Sequence, residues 1–229
     1  MEAQTTAALP PHLALIGDGD AGDGLTFGWL FRPGEPPVAL RLAEIQDALD
    51  HGGIVWVHLN ATASRAKQWL ADCGEMPEPV RDTLIELDER TRLERIGDKG
   101  ILGVIGDTVA GADLDPWHFA TIRFYVNQRL LVSTRRTPVN CASKLARAIR
   151  DGLAITSTAE LLVGLLQFAA DSVASREHEL AHHTDRTEDE VLTGRIEHAR
   201  QQLGRARRRA AKLRRQVALR DEPDCRLIR

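Results

Sequence analysis

Apolar residues in the first two thirds of the chain occur in short runs separated by glycine, proline and asparagine. The run at 54–59 is rich in β-formers and lies between Gly53 and Asn60, which predicts a buried strand. Residues 25–31 form a similar run that the Arg32-Pro33-Gly34 break ends. Two further pairs of runs have hairpin spacing and predict antiparallel strands at 92–97 with 101–109 and at 119–126 with 129–134.

Helical spacing separates these strands. Leu42, Ile45 and Leu49 predict a helix that Gly52-Gly53 ends. Further helices are predicted at 64–73, 79–87 and 138–151. Residues 25–152 are therefore predicted to combine helices with a largely antiparallel sheet, after a flexible N-terminus at 1–24 that is rich in Ala, Pro, Gly and Asp.

The remaining pattern is helical and predicts a long antiparallel hairpin at 158–220. Thr158 is the expected N-cap and Thr193-Gly194 the expected turn. The first helix has an apolar stripe at Leu162, Leu166, Ala169, Val173, Leu180 and Val191. The second has apolar residues alternately three and four apart, at Ile196, Ala199, Leu203, Ala206, Ala210, Leu213 and Val217. The fold class is thus α+β, with a ragged C-terminus at 221–229.

Charge is segregated along the chain. Residues 195–220 hold ten of the 30 Lys and Arg but one of the 33 acids, Glu197, which leaves 20 basic and 32 acidic residues elsewhere. A helix with the basic face Arg205 to Arg215 could contact phosphates, so a nucleic-acid-binding module is one alternative. The acidic remainder would repel DNA, and no nucleic acid partner is expected.

Cysteine usage and hydropathy predict a soluble, cytosolic chain as given. Cys73, Cys141 and Cys225 form no C-x-x-C pair and are expected to be reduced thiols. The N-terminus lacks the order of a signal peptide. The longest apolar stretch, 161–170, is half of the about 20 residues that a membrane span needs.

The sequence His178-Glu179-Leu180-Ala181-His182 spells H-E-x-x-H, in which zinc metalloproteases place two ligands and a general base. A third ligand is not evident, and both imidazoles lie about 200° from Leu180 of the packing stripe, so they should face solvent. We therefore expect no catalytic residues and no required cofactor. A structural, regulatory or adventitious site for zinc or another divalent cation is predicted at His178, Glu179, His182 and His183.

Several segments, in the same order over roughly 25–220, resemble the cytosolic half of the CorA family of divalent-cation transporters, in its zinc-transporting ZntB branch. They are Val55-Trp56-Val57-His58-Leu59, Trp69-Leu70, Val80-Arg81-Asp82-Thr83-Leu84, Phe124-Tyr125-Val126 and Leu130-Leu131-Val132-Ser133-Thr134-Arg135. The resemblance implies an α/β/α layered domain whose long helices form part of a pentameric funnel around a central cation path. Two transmembrane helices and a Gly-Met-Asn signature follow in the family, and this sequence contains neither.

These observations predict the cytosolic funnel and regulatory domain of a CorA-like transporter for a divalent metal ion, most simply zinc. The chain is expected to be no enzyme and to associate with itself through the long helices. In a full-length protein it would lie on the cytoplasmic side of the inner membrane, joined to it by a missing C-terminal segment. The alternatives are the nucleic-acid module and a protease using the His178–His182 sequence.

Overall fold

The computed structural model describes residues 22–98, 100–110, 117–193 and 196–217. The predictions for residues 1–21 and 221–229, and for Cys225, lie outside the described residues. The strands are β1 Leu25–Phe31, β2 Val38–Ala39, β3 Ile54–Asn60, β4 Arg92–Ile96, β5 Gly100–Thr108, β6 Phe119–Val126 and β7 Leu130–Arg135. The helices are α1 Ile45–Asp50, α2 Ser64–Asp72, α3 Glu78–Ile85, α4 Asn140–Arg150, α5 Thr158–Leu192 and α6 Ile196–Val217.

The seven strands form one sheet in the order β2-β1-β3-β7-β6-β5-β4. Neighbouring strands are antiparallel except for β3 and β7, which run parallel with Val57 opposite Val132. The parallel pair lies at the centre of the order, so both strands are covered on two faces. This explains why β3 is buried at nearly every position despite its short length.

Alternation along β3 sends its side chains into two separate cores. Val55, Val57 and Leu59 join the core beneath α1, α2 and α3. Trp56, with Phe27 and Trp29 of β1, joins the core beneath α4 and the first half of α5. Helices thus cover both faces of the sheet, and the predicted α+β class with α/β/α layers is confirmed.

Arginines satisfy the carboxyl ends of the three helices on one face. Arg129 donates to Leu49 O of α1, Arg81 to Ala71 O of α2, and Arg136 to Ile85 O of α3, the last at 3.3 Å. A guanidinium here pairs with carbonyls that have no partner inside the helix and lies at the negative end of the helix dipole. These contacts fix the three short helices against the sheet.

The start of α5 differs from the prediction by one residue. Ser157 is the N-cap, and its side chain accepts from Glu160 N at 3.2 Å. Thr158 is instead buried and donates to Asn127 O at 2.6 Å. Two adjacent hydroxyl residues could each cap the helix, and the loop carrying Asn127 decides between them.

The buried line of α5 is also rotated from the predicted stripe. Leu161, Leu165, Ala169 and Ser172 are buried, whereas Leu162 and Leu166 are partly buried and Val191 is exposed. One residue corresponds to about 100° of helix rotation. The paired leucines at 161–162 and 165–166 allow two stripes, and packing against α4 and the sheet selects the one the prediction did not choose.

Helix α6 packs antiparallel to α5 and buries alternate residues of its predicted apolar seam. Ala199, Ala206 and Leu213, each seven residues apart, are buried. Leu203, which lies between them in the predicted seam, is 43% exposed, and Ala210 is also exposed. The seam therefore has two columns of residues. Helix α5 covers the column of Ala199, Ala206 and Leu213 and leaves the column of Leu203 and Ala210 exposed.

Candidate metal centre

The predicted metal ligands lie in the second half of α5, beyond the sheet. The first half of the helix buries Leu161, Leu165 and Ala169 in the core that it shares with α4. From Val173 to Leu192, all of which the structure describes, Thr187 is the one buried side chain. The histidines are therefore carried on a helix that is anchored at one end and half exposed at the other.

His178 and His182 form a close pair. Their Nε2 atoms are 3.2 Å apart, and the ring centroids lie 4.6 Å apart with the planes at 86°. Both side chains are exposed, which agrees with the expectation that they face solvent. Two imidazole nitrogens at about 2.0–2.1 Å from one tetrahedral zinc are separated by roughly 3.3 Å. One cation could therefore bridge them without backbone movement.

Glu179 and His183 are not joined to that pair. The Glu179 carboxylate accepts from Arg176 Nη1 at 2.6 Å. His183 is half-buried, with Nδ1 3.4 Å from Thr187 Oγ1. Within the described part of the chain, no three His, Cys, Asp or Glu side chains are grouped as metal ligands. The structure thus brings together two of the four predicted ligands.

His58 has a structural role instead. It is fully buried, stacks on Phe27 at 4.8 Å between centroids, and shares a hydrogen bond between Nδ1 and Ser133 Oγ at 2.8 Å. Trp56 Nε1 donates to the same hydroxyl at 3.0 Å. Burial, followed by the nearby Arg135 guanidinium, lowers the pKa of His58 to about 3. It is a neutral core residue.

A second buried polar pair, which sequence reasoning missed, anchors α4. The carboxylate of Asp107 at the end of β5 accepts from Cys141 N at 2.6 Å and from Thr108 N at 2.7 Å. Burial raises the pKa of Asp107, and burial together with that carboxyl raises the pKa of the Cys141 thiol. A thiol of this kind stays protonated and is a poor metal ligand. Cys73 and Cys141 are both free and buried.

The basic side of α6 is partly used within the chain. The Arg209 guanidinium lies 4.6 Å from the Trp117 ring centroid, and Lys212 Nζ donates to Trp117 O at 3.4 Å. These contacts hold α6 against the loop before β6. Among the α6 residues whose burial is described, five other arginines are exposed: Arg200, Arg205, Arg207, Arg208 and Arg214.

Length and hydropathy of the helices bear on the membrane question. In the part of the chain that the structure describes, no helix is both long enough and apolar enough to cross a membrane.

Comparison with known proteins identifies the family. Residues 51–221 match the family model described as CorA-like Mg2+ transporter protein. This match covers far more than half of the chain, so the chain belongs to the CorA-like family. The family is one of transporters and not of enzymes, and the H-E-x-x-H sequence is therefore no protease centre.

The relatives agree with this assignment. A zinc transport protein ZntB from an Enterobacter species is 29% identical over 166 residues, which is 72% of this chain and 50% of that protein. The full-length CmaX protein has a similar fold, with a TM-score of 0.76 at 23% identity over 87% of this chain and 62% of that one. The ZntB cytoplasmic domain from Vibrio parahaemolyticus has a TM-score of 0.65 at 16% identity over 84% and 74%. The chain spans about half the length of the curated relatives it matches.

Proposed function

We propose that the chain is the cytosolic funnel and cation-sensing part of a zinc transporter of the CorA-like family. One observation carries this proposal: the similarity to zinc transport protein ZntB extends over 166 residues, which is 72% of the chain. On this proposal the chain works on the cytoplasmic side of the inner membrane, and the ion pathway through the membrane belongs to a part outside this sequence.

The chemistry of the exposed donors supports zinc over magnesium. Magnesium prefers an octahedral shell of oxygen ligands, whereas imidazole nitrogen suits zinc. The pair His178 and His182 offers two such nitrogens at a separation that one zinc ion accepts. The acids Glu177, Asp185 and Glu188 on the same half of α5 raise the local cation concentration. The site is suited to weak, reversible sampling of cytosolic metal, with water completing the shell.

Self-association through the long helices completes the proposal. Leu203 and Ala210 form an uncovered column of the α6 seam. A second copy of the chain is the partner that fits this column, and a pentamer around a central cation path is the arrangement that the resemblance implies. No nucleic acid partner is needed to explain the helix.

Calorimetric titration of the chain with zinc and, separately, with magnesium tests the cation assignment. We expect zinc to bind and magnesium not to bind. The His178→Ala/His182→Ala variant should lose zinc affinity by about tenfold or more, because mutating a residue that only hydrogen-bonds to a metal ligand already costs about tenfold. His118→Ala is the matched control, because His118 is exposed on another part of the chain. Zinc affinity equal in the double variant and the control would refute the site, and tighter magnesium binding would refute the choice of zinc.

Sedimentation of the chain over a range of concentrations tests the association. Growth of the sedimentation coefficient with concentration is expected, and a monomer at every concentration would contradict association by this part alone.

A further inference from the structure

A cleft of about 450 Å³ opens at the end of the sheet where the β4–β5 and β6–β7 connections meet the connection between α2 and α3. Each connection contributes a charged side chain to its lining: Glu75 from α2–α3, Asp98 from β4–β5 and Arg129 from β6–β7. Tyr125 and Ile96 also line it. Small-molecule sites are typically clefts of this order of size that combine apolar surface with a few placed polar groups. The cleft therefore has the size and the mixed lining of such a site, and it lies apart from the histidines of α5.

Hydrogen bonds fix the β6–β7 connection, which carries Arg129. Asn127 Oδ1 accepts from Arg129 N and Leu130 N, both at 2.9 Å. Thr158, at the start of α5, donates to Asn127 O at 2.6 Å. The Arg129 guanidinium donates through Nη2 to Leu49 O. A ligand that binds here meets groups that are already ordered, so less conformational entropy is lost on binding.

A glycine keeps Tyr125 in the wall of the cleft. Tyr125 is 5% exposed, and a β-carbon at Gly100 would lie 2.9 Å from both Cε2 and the hydroxyl oxygen of its ring. Burial raises the pKa of Tyr125, and the nearby Glu75 carboxylate adds to this effect. The phenol is therefore neutral at physiological pH, and its hydroxyl can both donate and accept a hydrogen bond.

The charges of the cleft are only partly used within the chain. Glu75 is half-buried and Asp98 is exposed. Among the described residues, none forms an ion pair or a side-chain hydrogen bond with either carboxylate. A guanidinium has five N–H donors, and the contact of Arg129 with Leu49 O uses one of them. The cleft thus offers two acceptor groups of negative charge and one donor group of positive charge.

We propose that this cleft binds a free basic amino acid, such as lysine, through its three charged groups. The α-carboxylate pairs with Arg129, and the two ammonium groups pair with Glu75 and Asp98. The methylene stem lies against Tyr125 and Ile96. A diamine would place a positive charge beside Arg129, and a neutral amino acid would leave one carboxylate of the cleft unpaired. A basic amino acid is the class of small molecule that matches all three charges.

NMR titration of the full chain with L-lysine at low ionic strength tests this site. We expect saturable shifts of the backbone amides at 75, 96–98 and 125–129, which weaken as salt screens the exposed charges. Norleucine lacks the side-chain ammonium group, and 1,5-diaminopentane lacks the carboxylate. Each should bind at least about tenfold more weakly than lysine, because each loses one charge-assisted hydrogen bond.

Substitutions in the chain test the same pairs from the protein side. Glu75→Gln and Asp98→Asn should each weaken lysine binding by about tenfold. Glu78→Gln is the matched control, because it removes one negative charge from an exposed side chain outside the lining. It should change lysine affinity by less than about twofold. In Arg129→Gln, lysine should bind no more tightly than 1,5-diaminopentane.

Four outcomes would overturn the proposal. One is the absence of saturable shifts with lysine, and another is equal lysine affinity in Glu75→Gln and Glu78→Gln, which would reflect only the overall charge of the chain. Norleucine or 1,5-diaminopentane binding as tightly as lysine would each remove one of the three pairs. Circular dichroism checks the folding of each variant. If Arg129→Gln unfolds because the contact with Leu49 O is lost, lysine and 1,5-diaminopentane compared on the unmodified chain still decide the role of Arg129.

Discussion

Two parts of the molecule differ in what stabilises them. One is the sheet with its short helices, between Leu25 and Arg150, and the other is the pair of long helices α5 and α6. The sheet buries large side chains in two cores, and Trp29, Trp56 and Phe124 are fully inaccessible. Beyond Ser172, the described residues of the hairpin bury mostly small or polar side chains, namely Thr187, Ala199 and Ala206, and one large one, Leu213. A dense apolar core gives the sheet a stable, well-defined structure. Separating the two helices of the hairpin exposes fewer apolar side chains and costs less free energy. A bound ion or a second chain can therefore shift the equilibrium between its packed and open forms.

The largest expected effect is in the sheet. Trp56→Ala removes a fully buried indole that contacts Phe27 at 4.7 Å between centroids and donates to Ser133. Such a truncation costs about 3–5 kcal/mol of unfolding free energy. Urea unfolding followed by circular dichroism measures it. Trp69→Ala is the matched control, since Trp69 is only half-buried, and an equal loss in both variants would contradict this account of the core.

The next effect is a pH dependence in the same core. The pKa of His58 is lowered from 6.5 to about 3, so the folded state binds fewer protons than the unfolded state between these values. Stability is therefore complete above pH 6.5 and falls as the pH decreases, by about 1.4 kcal/mol per pH unit.

Comparison with His58→Asn isolates this contribution, because asparagine keeps a polar group near Ser133 and does not titrate. Between pH 6.5 and roughly pH 4.5 the unmodified chain should lose about 3 kcal/mol more than the variant. Parallel stability curves for the two proteins would mean that His58 is accessible to protons in the folded state.

The sequence predicted the sheet better than the hairpin for a physical reason. Strands were recognised from local signals, such as the β-rich run of β3 between Gly53 and Asn60. The predicted apolar stripe of α5 was wrong because the leucine pairs at 161–162 and 165–166 allow two stripes, on neighbouring faces of the helix. The choice between them depends on α4, which the local pattern does not contain.

The candidate sites show the same limit. His178 and His182 could be found because residues four apart on a helix are neighbours. Glu190 and His198 lie 3.7 Å apart because the end of α5 packs beside the start of α6, and Arg129 donates to Leu49 O from 80 residues away. Glu190 and His198 lie at nearly equal distances along the sequence from Thr193-Gly194, where a turn is predicted, so the first of these contacts has a signal in the sequence. No pattern among neighbouring residues in the sequence predicts the contact of Arg129 with Leu49 O.

A smaller effect separates the two columns of the α6 seam. Leu213→Ala removes a buried side chain and should cost about 2 kcal/mol. Leu203→Ala removes a 43% exposed one and should change the unfolding free energy of the single chain by less than about 0.5 kcal/mol. If a second copy covers the open column, Leu203→Ala should nevertheless weaken self-association in sedimentation. Unchanged association would remove Leu203 from the interface.

The smallest expected effect concerns the exposed arginines of α6. Non-specific binding to DNA depends on the number of phosphates neutralised, with dissociation constants of about 10⁻⁴–10⁻⁶ M at physiological salt for proteins built to bind it. Here the basic face is confined to one helix, and the rest of the chain carries 12 more acidic than basic residues. Repulsion from that acidic part should cancel the attraction.

We therefore expect no saturable binding to a DNA duplex in fluorescence anisotropy at physiological salt. At low salt, any weak signal should decrease in Arg207→Ala/Arg208→Ala, since both side chains are exposed and make no described contact with the sheet. Binding that persists at physiological salt, and whose salt dependence becomes shallower in the double variant, would revive the nucleic-acid function for this helix. Its absence leaves the arginines free to approach acidic side chains of a second copy, whose α5 offers Glu177, Asp185 and Glu188 on an exposed surface.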